Sequence, residues 1–138
     1  MQVRVRWIEG VAFEGESAGG HRVRLDGPSE YGGENSGMRP MEMLLIAMGG
    51  CTAFDVVNIL RKARQPVQGC WAEIDAIRAD TIPKVFTKIH VHFVITGKGL
   101  KATQVALAIN LSATKYCSAS LMLGKACEIS HDFEIREE

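Results

Sequence analysis

The stretch GMRPMEMLLIAMGGCTAFDVVNILRKAR, residues 37–64, decides the fold of this chain. Pro40 near its start and Pro66 just beyond its end suit the first turn and the termination of a helix, so the spacing predicts one helix over about Met41–Arg64. Its apolar residues cover most of the helix circumference, which predicts a buried helix. In a chain of only 138 residues, such a helix is expected to be covered partly by a partner subunit.

Strands are predicted on both sides of this helix. Three alternating segments precede it and form an expected antiparallel meander, namely Gln2–Ile8, Val11–Glu16 and His21–Asp26. The segments that follow it predict two strands, two helices and a closing strand, namely Gly69–Ala79, Lys84–Thr96, Lys101–Lys115, Ser118–Lys125 and Cys127–Arg136. The glycine-rich stretch Gly27–Gly37 is either a connector or a mobile flap. The order predicts an α+β fold in one domain over residues 1–138.

Composition and charge argue against several classes of protein, namely nucleic-acid-binding, membrane-bound and secreted ones. The chain has 16 Lys and Arg against 16 Asp and Glu, so no net charge attracts it to nucleic acid or to anionic membranes. The uncharged apolar run Met43–Phe54 is well short of the roughly 20 residues that span a membrane. The N-terminus alternates and lacks the apolar core of a signal peptide. The four cysteines are widely spaced with no CxxC pair, as expected for thiols in the cytoplasm.

Two other motifs favour structural interpretations. Residues 97–102, GKGLKA, match the dinucleotide pattern GxGxxA, but no acidic residue follows at the distance that holds a ribose. A strand-to-helix turn without a cofactor is therefore expected. His90 and His92 share one strand face, yet no CxxC, HExxH or nearby carboxylate completes a metal site, which favours a solvated pair over a metal-binding sensor. His131 lies on the apolar face of the last strand and is expected in the core or at a subunit boundary.

Two cysteines on helices are the candidate reactive groups. Cys51 follows Gly49 and Gly50, which weaken a helix unless another group must approach closely. Cys117 lies at the start of the short helix, where backbone N–H groups lower a thiol pKa. From spacing alone, each cysteine is either a small core residue or one half of a redox pair.

A family resemblance bears on this choice. Residues 37–44, GMRPMEML, with residues 47–51, AMGGC, resemble the helix that carries the reactive cysteine in the OsmC/Ohr family of osmotically inducible and organic hydroperoxide resistance proteins. Residues 117–120, CSAS, resemble the second-cysteine motif of that family, which is Cys-Pro-x-Ser in many members. The order of elements is similar over nearly the whole chain, and its brevity is closest to a branch of short bacterial members.

The resemblance implies a fold and an activity. Antiparallel sheets would pack around the long central helix in an intertwined homodimer, with two sites at the subunit interface. Cys51 would reduce an organic hydroperoxide and become a sulfenic acid, and Cys117 would resolve it as a disulfide. An external dithiol, which is a lipoylated protein in the hydroperoxide reductases, would restore both thiols. No metal or cofactor is implied.

Charged partners of the thiolate follow from the same resemblance, with one departure. Reductases place Glu directly after the first proline of the helix, whereas here Met41 takes that position and Glu42 comes next. A shift of one residue turns the direction of a side chain by about 100° around the helix axis. The segment around Arg24 resembles the one that supplies an Arg in OsmC proteins. Arg24 and Glu42 are thus the candidate partners, beside Cys51 and Cys117. The alternative is a non-catalytic dimer that binds a small apolar ligand at the interface.

Overall fold

The computed structural model describes all 138 residues and confirms the α+β class. Its strands are β1 (Val3–Glu9), β2 (Ala12–Ser17), β3 (Arg22–Leu25), β4 (Gly69–Arg78), β5 (Phe86–Thr96) and β6 (Glu128–Arg136). Its helices are α1 (Pro40–Lys62), α2 (Ala102–Leu111) and α3 (Ser118–Leu123), with a 3-10 turn at Ser29–Tyr31 and a π-helical turn at Ser112–Tyr116. The predicted order of elements is therefore confirmed. The chain divides into two compact units, Met1–Ile46 and Ala47–Glu138, so a single domain stays a prediction.

The first unit contains the predicted antiparallel meander, in the order β1-β2-β3. Its alternation places Val3, Val5 and Trp7 on one face of β1. These three side chains are 72%, 59% and 64% exposed. The unit by itself therefore leaves an apolar sheet face open to solvent.

The connector after β3 is fastened by one buried carboxylate. Asp26 accepts hydrogen bonds from the backbone N–H groups of Gly27, Glu34 and Ser36 and from the Ser36 hydroxyl, at 2.7 to 3.0 Å. The bonds from Ser36 and Glu34 hold the pKa of Asp26 far below its usual range, because they stabilise the charged form. This arrangement favours the connector interpretation of residues 27–37 over a mobile flap.

Helix α1 carries start and stop signals at both ends. Pro40 is its first residue, and the Glu42 carboxylate accepts a 2.8 Å hydrogen bond from the backbone N–H of Arg39. At the other end, Gln65 N–H donates to the Leu60 carbonyl, while Arg64 adopts a left-handed conformation with φ of 58°. This is a Schellman motif with arginine where glycine is usual.

The sheet of the second unit has the order β4-β5-β6. Strands β4 and β5 are antiparallel, but β6 runs parallel to β5. The expectation of purely antiparallel sheets was wrong here, because the crossover through α2 and α3 returns the chain to the same end of the sheet. Strand β5 supplies much of the core, with four alternating buried side chains, Ile89, Val91, Phe93 and Ile95.

Helix α1 buries one stripe of its apolar surface. Within the second unit, Met48, Thr52, Val56 and Leu60 recur every four residues and are at most 3% exposed. Phe54, on another side of the helix, is 69% exposed. In the most apolar 18-residue stretch of α1, only 22% of the residues are buried. By length and composition alone the helix could also cross a membrane, a test that the core helices of soluble proteins pass as well. One copy of the chain thus covers the predicted buried helix only in part.

Candidate functional site

The two glycines before Cys51 have different surroundings. A Cβ atom at Gly49 would lie 2.9 Å from Cδ1 of Ile74, so β4 packs closely against the helix at this point. A Cβ atom at Gly50 would meet nothing within 4 Å. Gly49 is therefore explained by packing, and Gly50 leaves open space next to Cys51, which is itself partly exposed.

A π-helical turn delivers Cys117. The backbone N–H of Cys117 donates to the Ser112 carbonyl at 2.9 Å, so helix α2 widens by one residue before it ends. The helix expected over Lys101–Lys115 is thus present, but its last turn is π-helical from Ser112 onward. Cys117 then acts as the N-cap of α3, and its sulfur accepts hydrogen bonds from the Ser120 N–H at 3.3 Å and the Ser120 hydroxyl at 3.1 Å.

The two candidate cysteines meet. Their side chains are neighbours, since Cys51 acts on the pKa of Cys117, and Cys51 is partly exposed whereas Cys117 is fully buried. Burial raises the pKa of the Cys117 thiol, the bonds from Ser120 oppose that shift, and the neighbouring Cys51 raises the pKa further. The expectation of a lowered pKa at this helix start was wrong, because loss of hydration outweighs the N-cap bonds.

Three polar side chains, which we call the Ser112 network, lie beside the cysteine pair. The Ser112 hydroxyl donates to the Asp55 carboxylate at 2.9 Å and lies 2.7 Å from the Thr52 hydroxyl. Thr52 and Ser112 are both buried. This network was not predicted from the sequence, because these residue types are common on exposed helix faces and only the Ser-Ala-Thr segment after α2 breaks the apolar pattern there.

The segments that carry the two cysteines also carry exposed apolar side chains. Phe54 stands one turn after Cys51 on α1, and Tyr116 directly precedes Cys117. Phe54, Tyr116 and Met122 are 69%, 51% and 72% exposed. These exposed side chains would suit a ligand with a hydrocarbon group.

The proposed charged partners lie in the first unit and do not bond each other. Arg24 donates to the Ser36 hydroxyl at 2.9 Å and lies 3.9 Å from the Glu9 carboxylate. Glu42 accepts from the Arg39 N–H at the start of α1. Of the four predicted site residues, the structure thus brings together Cys51 and Cys117, while the roles of Arg24 and Glu42 stay predictions.

Cys70 and Cys127 lack the environment of the pair. Burial raises the pKa of each thiol. The Cys127 thiol donates to the Leu123 carbonyl at 3.3 Å, as a structural thiol near a helix end commonly does. No neighbouring thiol contributes to the pKa of either cysteine.

His90 and His92 belong to a row that we call the histidine ladder, with Asp132 and Glu134. Both histidines contact Oδ1 of Asp132, at 3.0 and 2.7 Å, and His92 also lies 3.2 Å from Glu134. The expectation of no nearby carboxylate was wrong, because β6 pairs with β5 in the fold. Since both ring nitrogens of His92 face carboxylates, both must donate, which raises its pKa. No group suited to hold a metal ion forms here.

The remaining motifs take structural roles. Gly97 turns the chain after β5, and a Cβ atom there would lie 2.1 Å from the Pro66 carbonyl, so the predicted strand-to-helix turn requires glycine. His131 is exposed within this chain, so its predicted place in the core was wrong, while a place at a subunit boundary stays a prediction.

Comparison with known proteins places the chain among relatives. A family model described as OsmC-like protein matches residues 33–132. Protein YhfA of Escherichia coli K12 is 49% identical over 138 residues, and the alignment covers 98% of each chain. A hypothetical protein from Aquifex aeolicus has a crystal structure with a TM-score of 0.82 and 28% identity, covering 99% of this chain and 97% of that one. An organic hydroperoxide resistance protein from Legionella pneumophila has a TM-score of 0.74 at 15% identity, with 96% and 95% covered.

Proposed function

The chain belongs to the OsmC-like protein family, and from this premise we propose that it is a thiol-dependent peroxidase that reduces organic hydroperoxides. The observation that carries the proposal is that the Cys51 and Cys117 side chains are neighbours, although 66 positions separate them in the chain. One thiol of this pair is partly exposed and the other is buried, which suits one attacking and one resolving cysteine. The wider role of the protein would be defence against oxidative stress in the bacterial cytoplasm.

The reaction has two chemical steps in the protein. The Cys51 thiolate attacks the terminal oxygen of the hydroperoxide and the O–O bond breaks. The leaving alkoxide takes up a proton and becomes an alcohol. Cys51 is then a sulfenic acid. The Cys117 sulfur attacks the Cys51 sulfur, so that a disulfide forms and the sulfenic oxygen leaves with two protons as water. An external dithiol, of which a lipoylated protein is the proposed example, reduces the disulfide to two thiols.

Arg24 and Glu42 are proposed to stabilise the Cys51 thiolate and the leaving oxygen. An Arg guanidinium favours a nearby thiolate, and a carboxylate can orient that guanidinium. Glu42→Gln tests this role. If Glu42 serves the site, the variant reacts more slowly with peroxide at neutral pH, and an unchanged rate removes Glu42 from the site.

The working form is proposed to be a homodimer. Apolar side chains stay exposed on α1 and on the meander of a single copy, and a second copy would cover such surfaces. Light scattering on the purified protein measures the mass in solution. A mass of twice 15.1 kDa supports the dimer, and a stable monomer contradicts it.

The proposal is tested by single-turnover oxidation of the reduced protein with cumene hydroperoxide, followed by mapping of disulfides. Stoichiometric formation of the Cys51–Cys117 bond is expected. Cys51→Ser should abolish turnover, and Cys117→Ser should leave a sulfenic acid that dimedone labels. Cys127→Ser is the matched control and should behave as the parent protein does. Equal dimedone labelling of Cys117→Ser and of the double variant Cys51→Ser with Cys117→Ser would contradict the mechanism.

A second candidate function uses the same surface without chemistry. The exposed apolar side chains Phe54, Tyr116 and Met122 would bind a small apolar ligand at the interface of a non-catalytic dimer. Slow, scattered oxidation of all four cysteines in the peroxide experiment would favour this function over the peroxidase.

A further inference from the structure

The Ser112 network joins two segments that carry the two cysteines. Thr52 and Asp55 lie three positions apart on α1, on the same side of the helix, and Thr52 directly follows Cys51. Ser112 is the first residue of the π-helical turn that ends at Cys117. The network therefore connects the immediate neighbours of both thiols.

The hydrogen bonds of the network have a defined direction. A serine hydroxyl has one proton, and Ser112 donates it to the Asp55 carboxylate. The 2.7 Å bond between Ser112 and Thr52 must then run from the Thr52 hydroxyl to the Ser112 oxygen. Ser112 is fully buried, so water cannot replace these partners without opening the packing. The turn is thus held to α1 by two bonds that act together.

Ser112 also anchors the backbone of Cys117. Its carbonyl accepts the N–H of Cys117 at 2.9 Å, while its side chain is held by α1. The position of Cys117 relative to Cys51 therefore depends on one residue that contacts both segments. A disulfide needs its two Cα atoms within a narrow range of distances, so small displacements of the turn oppose its formation.

We propose that Thr52, Ser112 and Asp55 are positioning residues that hold Cys117 against Cys51 and thereby set the rate and extent of disulfide closure. This inference rests on the proposed function, in which closure resolves the Cys51 sulfenic acid. The first chemical step, the reaction of Cys51 with peroxide, does not require the network. Variants of the network should therefore change disulfide closure and leave the first step unchanged.

The first test measures the thiol pair without peroxide. In a buffer of reduced and oxidised glutathione, the protein dithiol gives up two electrons to the glutathione disulfide, and the equilibrium reports how closely the two cysteines are held. Ser112→Ala removes both side-chain bonds and should lower the equilibrium constant for the Cys51–Cys117 disulfide by about tenfold. Thr114→Ala is the matched control, because the Thr114 hydroxyl lies in the same turn but bonds only to the Asn110 carbonyl.

Two pairs of variants distinguish positioning from general damage. Thr52→Val removes a hydroxyl and keeps the shape, whereas Thr52→Ser keeps the hydroxyl. Asp55→Ala removes the acceptor, whereas Asp55→Asn keeps an acceptor oxygen. Thr52→Val and Asp55→Ala should weaken the disulfide, and Thr52→Ser and Asp55→Asn should restore most of it. Circular dichroism on each variant verifies that it is folded.

The second test follows the peroxide reaction. Ser112→Ala should form the Cys51 sulfenic acid at the parent rate and close the disulfide more slowly, so that dimedone captures a larger share. A glutathione equilibrium for Ser112→Ala equal to that of Thr114→Ala would overturn the inference. If the parent protein forms no sulfenic acid, the peroxidase proposal fails, and the glutathione equilibrium still decides whether the network positions the thiols.

Discussion

Two hydrogen bonds of the same length, 2.7 Å, lie in different surroundings in the second unit. One joins Thr52 to Ser112 in the buried Ser112 network, and the other joins His92 to Asp132 in the histidine ladder. Asp132 is 60% exposed, whereas Ser112 is not exposed at all. In the ladder, water can replace either partner, but in the network a lost partner leaves a buried polar group unsatisfied.

Bond length alone therefore does not indicate what a hydrogen bond contributes. The exposed bond mainly changes a protonation equilibrium, because one partner can lose its proton to solvent. The buried bond mainly fixes geometry, because nothing else can satisfy its groups.

Ser112→Ala should reduce the free energy of unfolding by about 2 kcal/mol, because the Thr52 hydroxyl loses its buried acceptor and Asp55 loses its donor. Urea unfolding measures the change. Thr114→Ala, at an exposed position of the same turn, should cost less than about 0.5 kcal/mol. Equal losses in the two variants would show that burial does not set the difference.

Ser120→Ala should raise the pKa of Cys117 further. The Ser120 hydroxyl donates to the Cys117 sulfur and so stabilises the thiolate. Without this hydroxyl the thiolate is less stable, and the pKa of Cys117 rises. Thiolate absorbance near 240 nm, measured against pH in a Cys51→Ser background, checks the direction. A shift of the Cys117 titration to lower pH would contradict the role of this hydrogen bond.

His92→Gln should lower the melting temperature at pH 5.5 and have little effect at pH 9. The side chains of Asp132 and Glu134 raise the pKa of His92 above its ordinary 6.5. The resulting stability is fully present below pH 6.5 and is lost as pH rises through the folded-state pKa. Melting curves of both proteins across this range measure the effect. A difference that grows with pH would mean that His92 is not held in its protonated form.

Arg64→Gly should raise the free energy of unfolding by about 0.5 kcal/mol, because glycine adopts the left-handed conformation of this helix end without steric strain. Arg64→Ala is the control and should give no gain, since alanine has the same strain. This exposed site involves neither a buried polar group nor a titrating one. The change in the free energy of unfolding is therefore expected to be small, since only the backbone conformation is relieved of strain.

Much of the fold was predictable from local patterns. Alternation predicted the meander and strand β5, and Pro40 with Pro66 predicted the bounds of α1 to within two residues. The π-helical turn at Ser112–Tyr116 was not predicted, since its residues are compatible with an ordinary helix and the partners of Ser112 on α1 are distant in the chain. The parallel pairing of β5 and β6 was also missed, because strand direction depends on how α2 and α3 return the chain.

The candidate site was predicted in part. The family resemblance nominated Cys51 and Cys117, and the structure places their thiols side by side. It did not nominate Thr52, Ser112 or Asp55, whose bonds join residues nearly sixty positions apart in the chain. For the same reason, the carboxylates beside His90 and His92 were not foreseen.

By itself, the sequence determined the type and order of the secondary structure elements, because the spacing of apolar residues, prolines and glycines acts within one helix or strand. It also determined which thiols were candidates for chemistry. Only the tertiary structure decided which distant side chains meet and which of them lose contact with water. Burial raises the pKa of Cys117 despite its place at a helix start, because the loss of hydration depends on everything packed around the thiol.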